Sequence, residues 1–86
     1  MSGQADIVSR FFEALDALVL MRQLRGVATF ARRYGIDRRN LAKLRRDPSR
    51  GIFRAEWLAV LVADWHVSPR WLLTGDGGIF DGEGAR

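Results

Sequence analysis

The chain has no cysteine among its 86 residues, two prolines and a single histidine. Without cysteine there is neither a disulfide framework nor a thiolate-ligated zinc site. The lone His66 has no second metal-ligand type near it in sequence, so it reads as a helix-end residue rather than a ligand or a catalytic base. The glycine-rich stretch Gly75-Asp76-Gly77-Gly78 lacks the Lys-Ser/Thr of a phosphate loop, and Asp76 to Glu83 lacks the ligand spacing of a calcium loop. Both read as turn chemistry. The longest uninterrupted apolar run, Trp57 to Ala63, is far short of a membrane span. Met1 to Arg10 lacks the basic start and apolar run of a secretion signal. The expectation is a soluble cytoplasmic protein that is not an enzyme, with no metal, no cofactor and no membrane contact.

Acidic residues are scarce in one place above all. Between Arg22 and Arg54 lie 11 of the 14 basic residues and only two acids, Asp37 and Asp47, so that stretch is net +9. The remainder, with three basic and eight acidic residues, is net −5, and the overall +4 hides this polarity. A segment so basic repels itself on folding, which points to an anionic partner, nucleic acid being the commonest.

What is present is enough for one small domain: 48% hydrophobic and 10% aromatic residues can build a core at this length. A single domain is expected over residues 1–80, with 81–86 as a flexible tail. Asp6 opens a predicted helix to about Leu24, in which Ile7, Phe11, Leu15, Leu18 and Met21 recur at helical spacing. Val8, Phe12, Val19 and Leu20 widen its apolar face beyond one stripe, which leaves surface for a partner. Gly26 breaks the pattern. Val27 to Tyr34 reads as a second helix closed by Gly35, and Asp37 caps a third that runs to about Arg46 before Asp47-Pro48. A loop from Ser49 to Phe53 precedes a fourth helix, Arg54 to about Trp65. Ser68-Pro69 then gives an N-cap and first-turn proline for a fifth through Leu73. Trp57, Trp65 and Trp71 are spaced as core residues rather than as a stacking platform for single strands. No strand pattern competes, so the expected class is all-α with five helices.

Helices two and three fit a helix-turn-helix. Phe30, Tyr34, Ile36, Leu41 and Leu44 supply apolar contacts, Ala31 is small where the helices cross, and Gly35 occupies the tight turn. On these residues the chain resembles the lambda-repressor/Cro-like (xenobiotic-response-element type) helix-turn-helix family, over roughly Leu18 to Phe80. The ending Val67-Ser68-Pro69-Arg70-Trp71-Leu72-Leu73-Thr74-Gly75-Asp76-Gly77 is similar to the terminal helix and turn of many phage-type repressors. The resemblance implies a five-helix DNA-binding domain, usually dimeric, that controls transcription in a bacterial or phage setting. Where that family commonly begins its second helix with a Thr-Gln pair, this chain has Gly26-Val27, and Thr29 is the available substitute.

The geometry of a 3.6-residue turn agrees with that implication. If Leu41 and Leu44 face inward, Arg39, Ala42, Lys43 and Arg46 face outward, three cations around a small alanine. Such a face can enter a major groove, with Arg39 and Lys43 reading guanine edges and Arg38 and Asn40 flanking them. Arg45, Arg46 and Arg50 are expected on phosphates where the chain leaves the groove, with Thr29, Arg32 and Arg33 doing the same from the second helix. The expected partner is double-stranded DNA and the expected assembly a homodimer, repressor-like and associated with the nucleoid. The rival expectation is an antitoxin-like or adaptor module that binds another protein through helix 6–24 or the C-terminal tail; RNA binding through the arginine-rich helix is a third.

Overall fold

The computed structural model describes residues 3–81, which contain five helices and no strand longer than a single bridge. They are α1 (Gln4–Leu20), α2 (Val27–Arg33), α3 (Arg38–Arg46), α4 (Ala55–Trp65) and α5 (Pro69–Thr74). The described residues are all-α, as the apolar periodicity predicts. Among the described residues no helix is long and apolar enough to cross a membrane.

Two boundaries of α1 differ from the sequence reading, each for a local reason. It starts at Gln4 rather than Asp6, because the Asp6 carboxylate reaches back to accept the Gly3 N–H at 3.4 Å. Asp6 therefore works from inside the first turn instead of as the cap. The helix ends at Leu20, not Leu24. Arg22 turns into the left-handed region with φ 62, and the Gln23 and Leu24 N–H groups both return to the Leu18 carbonyl, at 3.0 and 3.3 Å. That reversal swings Leu24 back into the core, where it is buried.

The width of α1's apolar face has an internal use. This helix packs against α2, α3 and α5, so one stripe is too narrow. Val8 and Phe12, expected as surplus surface, are buried in the chain's own core, and Val19 packs half-buried against it. Only Leu20, 86% exposed, and Met21 remain outside. Phe11 is the centre of the core, with edge-on contacts to Phe12, Phe30 and Phe53 at ring separations of 5.2, 5.9 and 5.3 Å. Trp57 and Trp71 are buried and Trp65 half-buried, which assigns all three to packing.

The chain after α5 folds back. Ser68 donates its N–H to the Ile79 carbonyl at 2.7 Å, Asp81 donates to the His66 carbonyl at 3.1 Å, and Val67 and Phe80 form an isolated antiparallel bridge. Ile79 and Phe80 are thereby packed on the chain's own core. Residue 81, expected in the flexible tail, is tied down; the rest of that tail, 82–86, lies outside the described residues. His66 ends α4 in the left-handed conformation, φ 59.

Candidate nucleic-acid interface

The α2–α3 connection is closed by a Schellman arrangement. Ile36 donates to the Ala31 carbonyl at 2.8 Å and Gly35 to the Arg32 carbonyl at 3.5 Å, while Gly35 takes φ 66. The left-handed conformation explains a glycine there. Phe30, Ala31, Ile36, Leu41 and Leu44 are buried together, with Ala31 fully enclosed. Asp37 caps α3 by accepting the Arg39 N–H at 2.9 Å. The cap leaves Asp37's carboxylate occupied at the end of a helix whose other charges are all positive.

With Leu41 and Leu44 locked inward, Arg39, Ala42, Lys43 and Arg46 form the exposed ridge of α3. Arg39, Lys43 and Arg46 have no acidic partner among the described residues, nor has Arg38 on the flank of the ridge. Three guanidinium groups and one ammonium thus stand free around a methyl side chain. Beside the ridge runs a groove of about 810 Å³ between α3, the following loop and the start of α4, lined by Arg39, Lys43, Ile52, Arg54, Glu56 and Trp57 among others.

Two of the expected contact residues are turned elsewhere. Asn40 lies on the flank of α3 that faces the 47–53 loop: its Nδ2 donates to the Ile52 carbonyl at 2.6 Å, and Oδ1 accepts the Ile52 N–H at 3.0 Å. Its amide is used to hold that loop rather than being presented on the ridge. Arg45 lies on the opposite flank, against α1. It donates to Asp16 Oδ2 at 2.6 Å, and its guanidinium stacks 5.2 Å from the Phe12 ring centre.

The other candidates divide similarly. Arg46 shares the α3 ridge, and Arg32 is exposed on α2 without a partner among the described residues. Arg33 lies over the rings of Tyr34 and Trp65, at 5.6 and 5.5 Å, at the far end of α2. Thr29 is half-buried in the first turn of α2, its N–H given to the Gly26 carbonyl at 3.1 Å. Arg50 is largely exposed and pairs loosely with Asp47 at 3.5 Å. Asp47 also accepts the Ser49 hydroxyl and N–H at 2.6 and 3.1 Å, and these bonds hold its carboxyl below the usual range.

Tyr34 joins the apolar frame only through its ring, 4.8 Å from that of Phe30. Its hydroxyl donates to Asp64 at 2.9 Å and accepts from the Trp65 indole at 3.1 Å, which ties the end of α2 to α4. Burial first, and the bond to Asp64 second, push this phenol above its ordinary value.

Sequence reasoning missed Asp16, Gly51 and Ile52. Asp16 is 29 positions from Arg45, and no local pattern reveals that pairing. Gly51 carried a signal: a glycine soon after Pro48 in a basic loop. It takes φ 93, and a Cβ there would lie 3.2 Å from both Asn40 Oδ1 and Leu44. The loop is pressed onto α3 at that point. No protein-family model, curated protein or solved structure matches the chain.

Proposed function

We propose that this chain is a sequence-specific double-stranded-DNA-binding transcriptional regulator, repressor-like, with a lambda-repressor-like helix-turn-helix formed by α2 and α3. The observation that carries the reading is the α3 ridge. Arg39, Lys43 and Arg46, without acidic partners among the described residues, project around Ala42 on a helix whose opposite side is anchored by Leu41 and Leu44. A rigid helix with a small residue between cations suits close approach to base edges, Arg39 and Lys43 being positioned for guanine. Arg32, Arg46 and Arg50 supply phosphate contacts around it, and the net +9 segment supplies the steering field.

The adaptor alternative draws on apolar surface of helix 6–24 or of the tail. Of the residues expected to form that surface, Val8 and Phe12 are buried, Val19, Ile79 and Phe80 pack half-buried against the core, and Leu20 stays exposed. The homodimer belongs to the DNA reading, as two copies spanning half-sites about 34 Å apart.

Selection of bound duplexes from a random pool, followed by titration of a selected and a scrambled duplex at several salt concentrations, tests the proposal. The selected duplex should bind tighter, and affinity should fall on the order of a thousandfold or more from low to moderate salt if a dimer makes about six to ten phosphate contacts. If no duplex is preferred at any salt concentration, the regulator reading fails.

A further inference from the structure

Arg45 is the cation of α3 whose situation the DNA reading leaves unexplained. It is seven residues from Arg38, so both lie on the flank of α3 next to α1 rather than on the outward ridge. There it meets Asp16 at 2.6 Å and stacks over Phe12. Among the described residues this is the only ion pair formed between distant parts of the sequence; Arg50–Asp47 and Arg54–Glu56 are local. Both partners are half in water, with side-chain exposures of 44% and 53%, so the pair is open to competition from a phosphate.

We propose that Asp16 is a specificity-determining residue, which suppresses sequence-independent binding by holding Arg45 on α1. The proposal rests on the DNA reading and deepens it. A loose complex with the wrong duplex is held by phosphate charge alone, and the protein can roll until every free cation finds a phosphate. Arg45 must leave Asp16 and the Phe12 ring to join such a complex, which offsets what the contact contributes. In the seated complex the ridge fixes how α3 lies, and the flank carrying Arg45 stays turned to α1. Asp16 therefore penalises the loose complex more than the seated one.

The test compares the full chain with Asp16→Asn, Glu13→Gln, Arg45→Gln and the Asp16→Asn/Arg45→Gln pair, on a random-sequence duplex and on one selected from a random pool. Glu13 is an exposed acid on the same helix with no partner among the described residues, so it controls for removal of negative charge. Melting of each variant establishes that it is folded. Asp16→Asn should tighten binding of the random duplex up to about fivefold, the range of an exposed ion pair, and steepen its log–log salt slope by about 0.9. The selected duplex should change less, and in the Arg45→Gln background Asp16→Asn should change nothing. An equal gain on both duplexes, a gain that survives Arg45→Gln, or one matched by Glu13→Gln overturns the role of Asp16 and leaves the DNA reading standing. Failure of the unmodified chain to bind any duplex removes both.

Discussion

Asn40 and Ile52 form a closed pair: the side-chain amide of one donates to the backbone carbonyl of the other at 2.6 Å and accepts its N–H at 3.0 Å. Both backbone polar groups of Ile52 are thus satisfied by a helix side chain, as an adjacent strand would satisfy them. The pair sets the height of the 47–53 loop, and with it Arg50 and Arg54, relative to the α3 ridge.

Asn40→Ala should therefore act on the loop and not on base choice. Two hydrogen bonds at the surface are worth about 1–2 kcal/mol together, which denaturant unfolding would register. Binding of every duplex should weaken by a similar factor as Arg50 loses its position. Relaxed preference at one base position, with unchanged stability, would return Asn40 to the reading face.

Arg39→Ala and Lys43→Ala should each cost about 1–3 kcal/mol at particular positions of a selected duplex and relax preference there. Arg50→Ala should weaken all duplexes alike and flatten the salt slope by about one unit. The contrast follows from the ridge, where Arg39 and Lys43 have no acidic partner among the described residues, and from Arg50's place beyond Pro48 beside Asp47. Equal losses on every sequence for all three variants would show that the ridge does not read bases.

Gly35 and Gly51 both take positive φ, yet they should respond differently to alanine. At Gly35, φ 66, a Cβ would meet nothing within 4 Å, so Gly35→Ala carries backbone strain alone, about 1–2 kcal/mol. Gly51 combines φ 93 with a Cβ position 3.2 Å from Leu44 and from the Asn40 oxygen. Gly51→Ala should cost more than Gly35→Ala in thermal melts and should also weaken duplex binding by displacing the loop. A smaller cost at Gly51 would mean that the loop is not pressed onto α3.

These glycines also mark how far the sequence could be read. Gly35 is legible as the tight turn that closes the second helix, and local rules of capping predict Asp37 and Ser68, which cap α3 and α5. The inward and outward faces of α3 followed from Leu41 and Leu44 by helix geometry alone. What periodicity does not carry is the neighbour each flank meets. Asn40 and Arg45 lie on opposite flanks, and their partners Ile52 and Asp16 are 12 and 29 residues away. The extra apolar residues of α1 read as exposed from sequence because the number of helices it meets is a tertiary fact; in contact with three others, α1 needs more than one stripe.

Tyr34 is the only tyrosine, so tyrosinate absorbance reports this site alone. Its midpoint should lie above the ordinary value of 10.0, because burial and the bond to Asp64 disfavour the phenolate. A raised folded-state value means that the stability Tyr34 contributes is complete below about pH 10 and is lost as pH rises through the folded value. Asp64→Asn should move the midpoint toward that of free tyrosine. An unchanged midpoint in Asp64→Asn would remove the hydrogen bond as a cause and leave burial alone.

Phe80 lies at the point where the chain returns, bridged to Val67 and packed on the core, while Ser68 and His66 hold the backbone on either side of it. A side chain used in this way serves the fold before any assembly. Phe80→Ala removes a half-buried ring, so its cost should lie below the roughly 3–5 kcal/mol of a fully enclosed phenylalanine. Phe12→Asp, which places a charge in a buried position under Arg45, should be worse still and prevent folding at ordinary temperature. Melting curves and sedimentation on the same samples separate the two roles. For Phe80→Ala the expected result is a lowered melting temperature with the association state unchanged. A variant that melts like the unmodified chain but sediments as a smaller species would make the tail an interface between copies.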